Sequence, residues 1–427
     1  MRLNESKKRS FLLLAICLTI LGCLIYFKFI RPIRENNKNE YQTILNQENV
    51  LGIVKHPKPS GVFMGRLDQL PNYDPDSVDL WQVDLRGADL SSLNLNGKLD
   101  DLFHADFDDN TRWPADLPPG FSPENIMKLG KNPGLGIRRL HEQGITGKGV
   151  SLAIIDQPLL VDHIEYARNL KLYEQIHSVG DIAQMHGPAV ASIAVGKNVG
   201  VAPEAELYYI AESHGNFTDK GFQWDFSYLA QSIERIREIN RKLPKERKIR
   251  VISISVGWSP GQKGYKKMMA VVEKALAEGV FIVSSSIKNC YEGKFSFNGL
   301  GRYPDADPEL LSSYSSGIFW SKKSAVFSDQ RDRSNTLLVP MDSRCTASPS
   351  GENDYVFYRE GGWSWSIPYI AGLYALACQV SPDMNPEIFW EAATTTADSL
   401  IIRKDGTAYS VGRIVNPLKM ISRLKKL

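Results

Sequence analysis

The stretch GKGVSLAIIDQ, residues 147–157, decides how the chain is read. Val150 to Ile155 is an apolar run opened by Gly147 and Gly149, the pattern of a strand buried on both faces of a parallel sheet. It delivers Asp156 to the strand's carboxyl end, where open α/β sheets hold their ligands. An aspartate closing a plain strand-end turn has the same local pattern. Two further runs, IRVISISV (249–256) and GVFIVSSS (279–286), alternate with helical spacings. Phe226, Leu229, Ile233 and Ile236 form one apolar face, and Met269, Val272 and Leu276 another. Strands alternating with helices predict an α/β fold with a mostly parallel sheet between helices.

Two other segments carry reactive side chains. HGPAVASIA (186–194) opens on His186 and continues with small residues at Gly187, Ala189, Ala191, Ser192 and Ala194. A helix there can approach a neighbour closely while its first residue faces a cleft; a capping or surface histidine fits the same residues. GWSWSIPYIAG (362–372) places Ser364 ahead of Ile367, Ile370, Leu373, Tyr374 and Ala377 at helical spacing. Pro368 falls in the expected opening turn, where a missing amide hydrogen does little harm. Ser364 then sits at a helix amino terminus, whose free amides favour developing negative charge; a serine N-cap has the same geometry.

These three segments, in the chain order Asp156, His186, Ser364, resemble the active-site blocks of the subtilisin-like serine peptidase family, peptidase S8. The resemblance covers roughly residues 144–399. Chemistry explains the residue types. A serine hydroxyl is a poor nucleophile near neutral pH and needs an imidazole to take its proton and return it to the leaving amine. A carboxylate holds the other ring nitrogen protonated and stabilises the imidazolium. The resemblance therefore implies a subtilisin-like three-layer fold with Ser364 as nucleophile, His186 as general acid/base and Asp156 as orienter.

The resemblance also implies an asparagine oxyanion donor just after a buried strand. Counted without a gap that position falls on Lys288, and with one inserted residue on Asn289; a neutral amide in fixed geometry favours Asn289. Ser255, Val256, Gly257 and Trp258 resemble the family's edge segment that pairs with extended peptide, although the end of a core strand fits them too. Departures from the family pattern cluster at the same places. Gln157 and Pro158 follow Asp156, Pro188 replaces a threonine, and Trp363, Trp365, Ile367 and Tyr369 replace smaller or polar residues. Bulky aromatics beside Ser364 imply a reshaped or narrowed cleft.

Composition is ordinary for a globular chain of 427 residues, and a net charge of +3 with no basic stripe excludes a nucleic-acid partner. The seven histidines are dispersed and no Cys-x-x-Cys occurs, so no metal site is expected from spacing. Calcium is the one cofactor the resemblance admits, with no ligand set carried over. Asp162, His163 and Glu165 are read as a solvated turn rather than a cation site. Of five cysteines, Cys17 and Cys23 lie in the first apolar segment, and Cys378 reads as a buried thiol.

Phe11 to Phe27 is apolar except for Thr19, and its extension to Ile30 is long enough for one membrane span. The expected organisation is a cytoplasmic tail (1–10), a signal anchor (11–30), a polar tether (31–75), a repeat-like segment (76–115) and the peptidase domain (120–427), extracytoplasmic at the cell membrane. A cleaved signal peptide is the rival for the first segment. Within VDLRGADLSSLNL (83–95), Leu85, Leu90 and Leu95 lie five apart, which resembles pentapeptide repeats; too few are present to bury a core without a neighbour. In this family such a region often is an inhibitory prosegment. Two functional expectations follow: a membrane-anchored endopeptidase acting on protein or peptide substrates, or an inactive member of the fold that binds peptide or a partner protein.

Overall fold

The computed structural model describes residues 52–61, 64–178, 180–318, 336–404 and 407–427. The elements that position the site are, in chain order, β1 (Ala105–Asp108), β2 (Ser151–Asp156), β3 (Leu170–His177), α1 (His186–Val195), β4 (Glu206–Glu212), α2 (Ser227–Lys242), β5 (Ile249–Ile254), α3 (Tyr265–Ala277), β6 (Phe281–Ser284), β7 (Tyr355–Tyr358) and α4 (Trp363–Val380).

Five of these strands form one sheet in the order β6-β5-β2-β4-β3, and every neighbouring pair is parallel. All their carboxyl ends therefore open on one edge, and the chain switches direction beside the central β2. Side chains leave β2 alternately. Leu152 and Ile154 join the core that contains α1 and α4, while Ala153 and Ile155 join the core under α2 and α3. This is the expected three-layer arrangement. Leu152, Ile154 and Ile155 are each at most 1% exposed, and full burial of such side chains contributes about 1.5–3 kcal/mol apiece.

Small residues do close-packing work where α1 meets α4. A Cβ on Gly372 would strike Val201 and lie tight against the Ala194 carbonyl. The two helices that carry His186 and Ser364 thus touch almost backbone to backbone. Ser192 ties α1 onward, accepting from the Ala347 amide at 3.0 Å.

The repeat-like segment builds a separate core. Leu85, Leu90 and Leu95 are all buried, together with Phe103, Phe107, Phe121 and, from the peptidase region, Phe357. Val83–Asp84 pairs in parallel with β1, β1 pairs antiparallel with β7, and β7 pairs with Arg344–Ala347, so one four-stranded sheet spans both regions. The segment thus packs against and pairs with the chain around Phe357.

Two expectations require comment. The described end of the supposed tether is an ordered strap: Val54 and Gly52 exchange backbone hydrogen bonds with Tyr173 of β3, Lys58 does so with Asp181 and Ala183, and Ser60 donates to the Pro349 carbonyl. The turn at 162–165 is solvated only in part: Asp162 and Ile164 are exposed, whereas His163 and Glu165 are fully buried. Glu165 accepts from Asn198, Val199 and Tyr355, donors that occupy the space a cation would need. Among the described residues no group of three or more His, Cys, Asp or Glu side chains is arranged to hold a metal.

Cys290, Cys345 and Cys378 are free thiols, the last two buried. The apolar run Phe11–Phe27 lies outside the described residues, and among the described residues no helix is long and apolar enough to cross a membrane.

Candidate active site

Asp156 is the last residue of β2 and is 2% exposed. Its Oδ1 accepts from the Gln157 amide at 2.8 Å and lies 2.7 Å from His186 Nδ1. A carboxylate at that position fixes the tautomer, leaving Nε2 as the free nitrogen. His186 is the first residue of α1. Gly187 lets it sit there, because a Cβ at that position would collide with the Gln157 carbonyl and the Tyr209 hydroxyl.

Ser364 is the second residue of α4, after the extended Gly362. Its hydroxyl donates to the Ser255 carbonyl at 3.4 Å, and its own carbonyl accepts from the Ser255 hydroxyl at 3.1 Å. Pro368 explains the second bond. The helix starts at Trp363, so Pro368 lies beyond the opening turn, contrary to expectation, and its missing N–H is the one that would have bonded the Ser364 carbonyl. That released acceptor is what Ser255 satisfies. No hydrogen bond joins Ser364 to His186 among the described residues; apo active sites often tighten only around substrate.

The bulky neighbours are placed rather than intrusive. Trp365 is buried between His186 and Tyr358, with ring centroids 5.3 Å away in each case, so it walls one side of the imidazole. Trp363 packs toward Phe297 and donates its indole N–H to Asn298 at 3.1 Å. Tyr369 is fully buried under the guanidinium of Arg344.

After β6 the chain turns into a short helix, Ile287–Cys290, on which Lys288 and Asn289 are both exposed. Asn289 Nδ2 points to the Trp258 carbonyl at 3.4 Å. Ser255, Val256 and Gly257 leave the sheet as an irregular run beside it, and the Val256 carbonyl accepts from the Ser285 amide at 3.3 Å. The structure thus brings together Asp156 with His186, Ser364 with Ser255, and Asn289 with Trp258.

Sequence reasoning missed two groups. Glu212, at the end of β4 and fully buried, pairs with both the amide and the ring of His214, a residue held at φ 59°. Burial opposes the charged imidazole, but the Glu212 carboxylate outweighs it and raises the His214 pKa, with Asp156 adding to the effect. The Glu-x-His spacing at a strand end was the available signal. Asp342, 2% exposed, accepts from the Gly361 amide at 2.8 Å and the Ile318 amide at 2.7 Å, tying down the loop just before Ser364. Nothing local in the sequence marks it.

With that geometry in place, comparison with known proteins shows that the subtilase family model (Peptidase S8) matches residues 147–289, so that stretch is similar to a subtilisin-like domain. The match includes Asp156, His186, Ser255 and both oxyanion candidates and ends before Ser364. Among curated proteins the chain is 27% identical over 283 residues to Subtilisin-like protease PopC of Myxococcus xanthus (strain DK1622), covering 58% of this chain and 56% of that protein. It is 25% identical over 250 residues to Subtilisin E of Bacillus subtilis (strain 168), covering 57% and 59%. The chain spans little more than half the length of these relatives. Among solved structures, the prenylagaramide maturation protease PagA aligns over 68% of this chain and 98% of its own at 16% identity, with a TM-score of 0.46.

Proposed function

We propose that this chain is a serine endopeptidase that hydrolyses peptide bonds of protein substrates through an acyl-enzyme on Ser364. The observation that carries the reading is the 2.7 Å contact of His186 Nδ1 with the buried Asp156 carboxylate, on a helix packed directly against the helix whose first turn carries Ser364. In this reading the Ser364 hydroxyl exchanges its contact with Ser255 for His186 Nε2 when substrate arrives. His186 takes the proton as the oxygen attacks the scissile carbonyl, then gives it to the leaving amine. Water repeats the cycle to free the acid. Asn289 is the favoured oxyanion donor, with Lys288 as its alternative, and Ser255 to Gly257 pair with the extended peptide.

The segment Phe11–Phe27 serves as the membrane anchor in this proposal, with the catalytic domain outside the cytoplasm. Its support is the length of the apolar run. The leucines at 85, 90 and 95 are taken as a short pentapeptide-repeat-like coil, on the strength of their shared burial.

One observation favours a second reading, an inactive peptide-binding member of the fold: the Ser364 hydroxyl is bonded to Ser255, not to His186. Labelling with a fluorophosphonate probe separates the two. The peptidase reading expects the wild-type protein to label and Ser364→Ala not to; folded wild type that labels no better than Ser364→Ala leaves the binding reading. Asn289→Ala and Lys288→Ala then identify the oxyanion donor, whose loss lowers turnover by roughly 10²–10³ with little effect on KM.

A further inference from the structure

The chain leading into Ser364 is gripped by residues from the amino-terminal region at successive positions. The Tyr355 amide donates to Asp109 Oδ2 at 2.8 Å, and Phe357 pairs with Phe107 across the sheet. The Arg359 amide donates to Asp106 Oδ1 at 2.7 Å, and its guanidinium Nε donates to the Phe103 carbonyl at 2.9 Å. Closest to Ser364, Trp81 donates its amide to Glu360 Oε2 at 3.1 Å and its indole N–H to the Glu360 carbonyl at 3.0 Å. Trp81 does this from a left-handed backbone, φ 54°, a conformation that its surroundings must hold in place. Asp106 is 2% exposed and Phe357 fully buried, so the centre of this grip is interior, with Asp109 at its exposed margin and Trp81 half-buried. On the other side, the strap through Lys58 holds Ala183, three residues before His186.

We propose that residues 52–113 are a permanent frame of the catalytic unit, in which Trp81 and Asp106 are positioning residues for the run from Arg359 to Ser364, and not a prosegment that departs on activation. The proposal rests on the serine-peptidase reading. Removing the frame would take β1 away from β7, uncover Phe357, and leave the Arg359 amide without its acceptor, all within five to eight residues of Ser364. A one-ångström displacement of a reacting group costs up to about 10²-fold in rate, so a grip of this kind acts on catalysis as well as on folding.

The test uses the full chain with a site-specific protease sequence inserted between Pro119 and Gly120, both exposed. After cutting, the two fragments are expected to co-elute on gel filtration and to keep fluorophosphonate labelling within about twofold of the uncut protein. A fragment that separates while labelling persists or rises overturns the proposal. If uncut protein never labels above Ser364→Ala, the peptidase reading fails, and co-elution or release still decides whether the frame is permanent.

Substitutions test positioning apart from folding. Trp81→Phe and Asp106→Ala are expected to lower kcat roughly tenfold at nearly constant KM, and Asp106→Asn, which keeps an acceptor for the Arg359 amide, to recover most of it. Unchanged kcat in Trp81→Phe and Asp106→Ala, or equal loss in the Ala and Asn variants that merely follows a fall in Tm, overturns the positioning role.

Discussion

Ser255 and Ser364 are tied twice, hydroxyl to carbonyl in each direction, at 3.1 and 3.4 Å. The tie exists because Pro368 has no amide hydrogen to offer the Ser364 carbonyl. Ser255 lies on the run proposed to hold substrate, so the proposed nucleophile is tied to that run as well as to its own helix.

Removing the Ser255 hydroxyl leaves a buried carbonyl without its partner. Ser255→Ala should destabilise the protein by about 1–3 kcal/mol and slow labelling of Ser364. Pro368→Ala supplies an amide hydrogen for the same carbonyl, so the double variant should recover part of that loss. A double-mutant cycle on Tm and labelling rate measures the coupling, and strict additivity would contradict the shared acceptor.

Gly187→Ala should separate structure from chemistry at the His186–Asp156 contact. The added Cβ meets the Gln157 carbonyl, and the first turn of α1 must shift to relieve it. Steady-state kinetics should show kcat reduced by roughly 10–100-fold, with KM changed much less. An unaffected kcat would mean that the His186 position tolerates displacement.

Asp342 makes a pH-dependent prediction. Burial pushes its carboxyl up to about 7. Between the unfolded value of about 4 and that folded value, the native chain holds a proton that the unfolded chain has released. Stability should therefore fall as pH rises through this window, by up to about 1.4 kcal/mol per unit from this group. Thermal melts across the window should show a flatter profile for Asp342→Asn than for wild type, whatever its absolute Tm; parallel profiles would remove Asp342 as the source.

Trp365 separates packing from hydrogen bonding. Its side chain is 5% exposed, and its indole nitrogen has no partner among the described residues. Trp365→Ala should cost about 3–5 kcal/mol, while Trp365→Phe, which keeps a ring against His186 and removes the unpaired donor, should stay within about 1 kcal/mol of wild type. Denaturant unfolding gives both numbers.

The strands were legible because burial on both faces writes an uninterrupted apolar run, and the run before Asp156 predicts both the sheet and the carboxyl end where Asp156 sits. His186 and Ser364 were legible through the small residues and the helical spacing that follow them. The start of α4 was not, since Pro368 was placed in the opening turn; the extended Gly362 and the tie to Ser255 set the boundary earlier. Asp342 and the Trp81–Glu360 contact were invisible because their partners lie far away in sequence and each depends on a fold already formed. The turn at 162–165 was read correctly for Asp162, which faces water, and not for Glu165, which is enclosed by donors from Asn198, Val199 and Tyr355.

The strap at 52–60 has a consequence for how copies of this chain behave together. β3 is the last strand of the central sheet, and a bare edge of that kind is a template on which another molecule's strand can grow. Gly52 and Val54 occupy the backbone groups of Tyr173, at the middle of that edge, with the chain's own residues. The strap therefore works against aggregation, and a shortened chain that begins after it should associate more readily in solution.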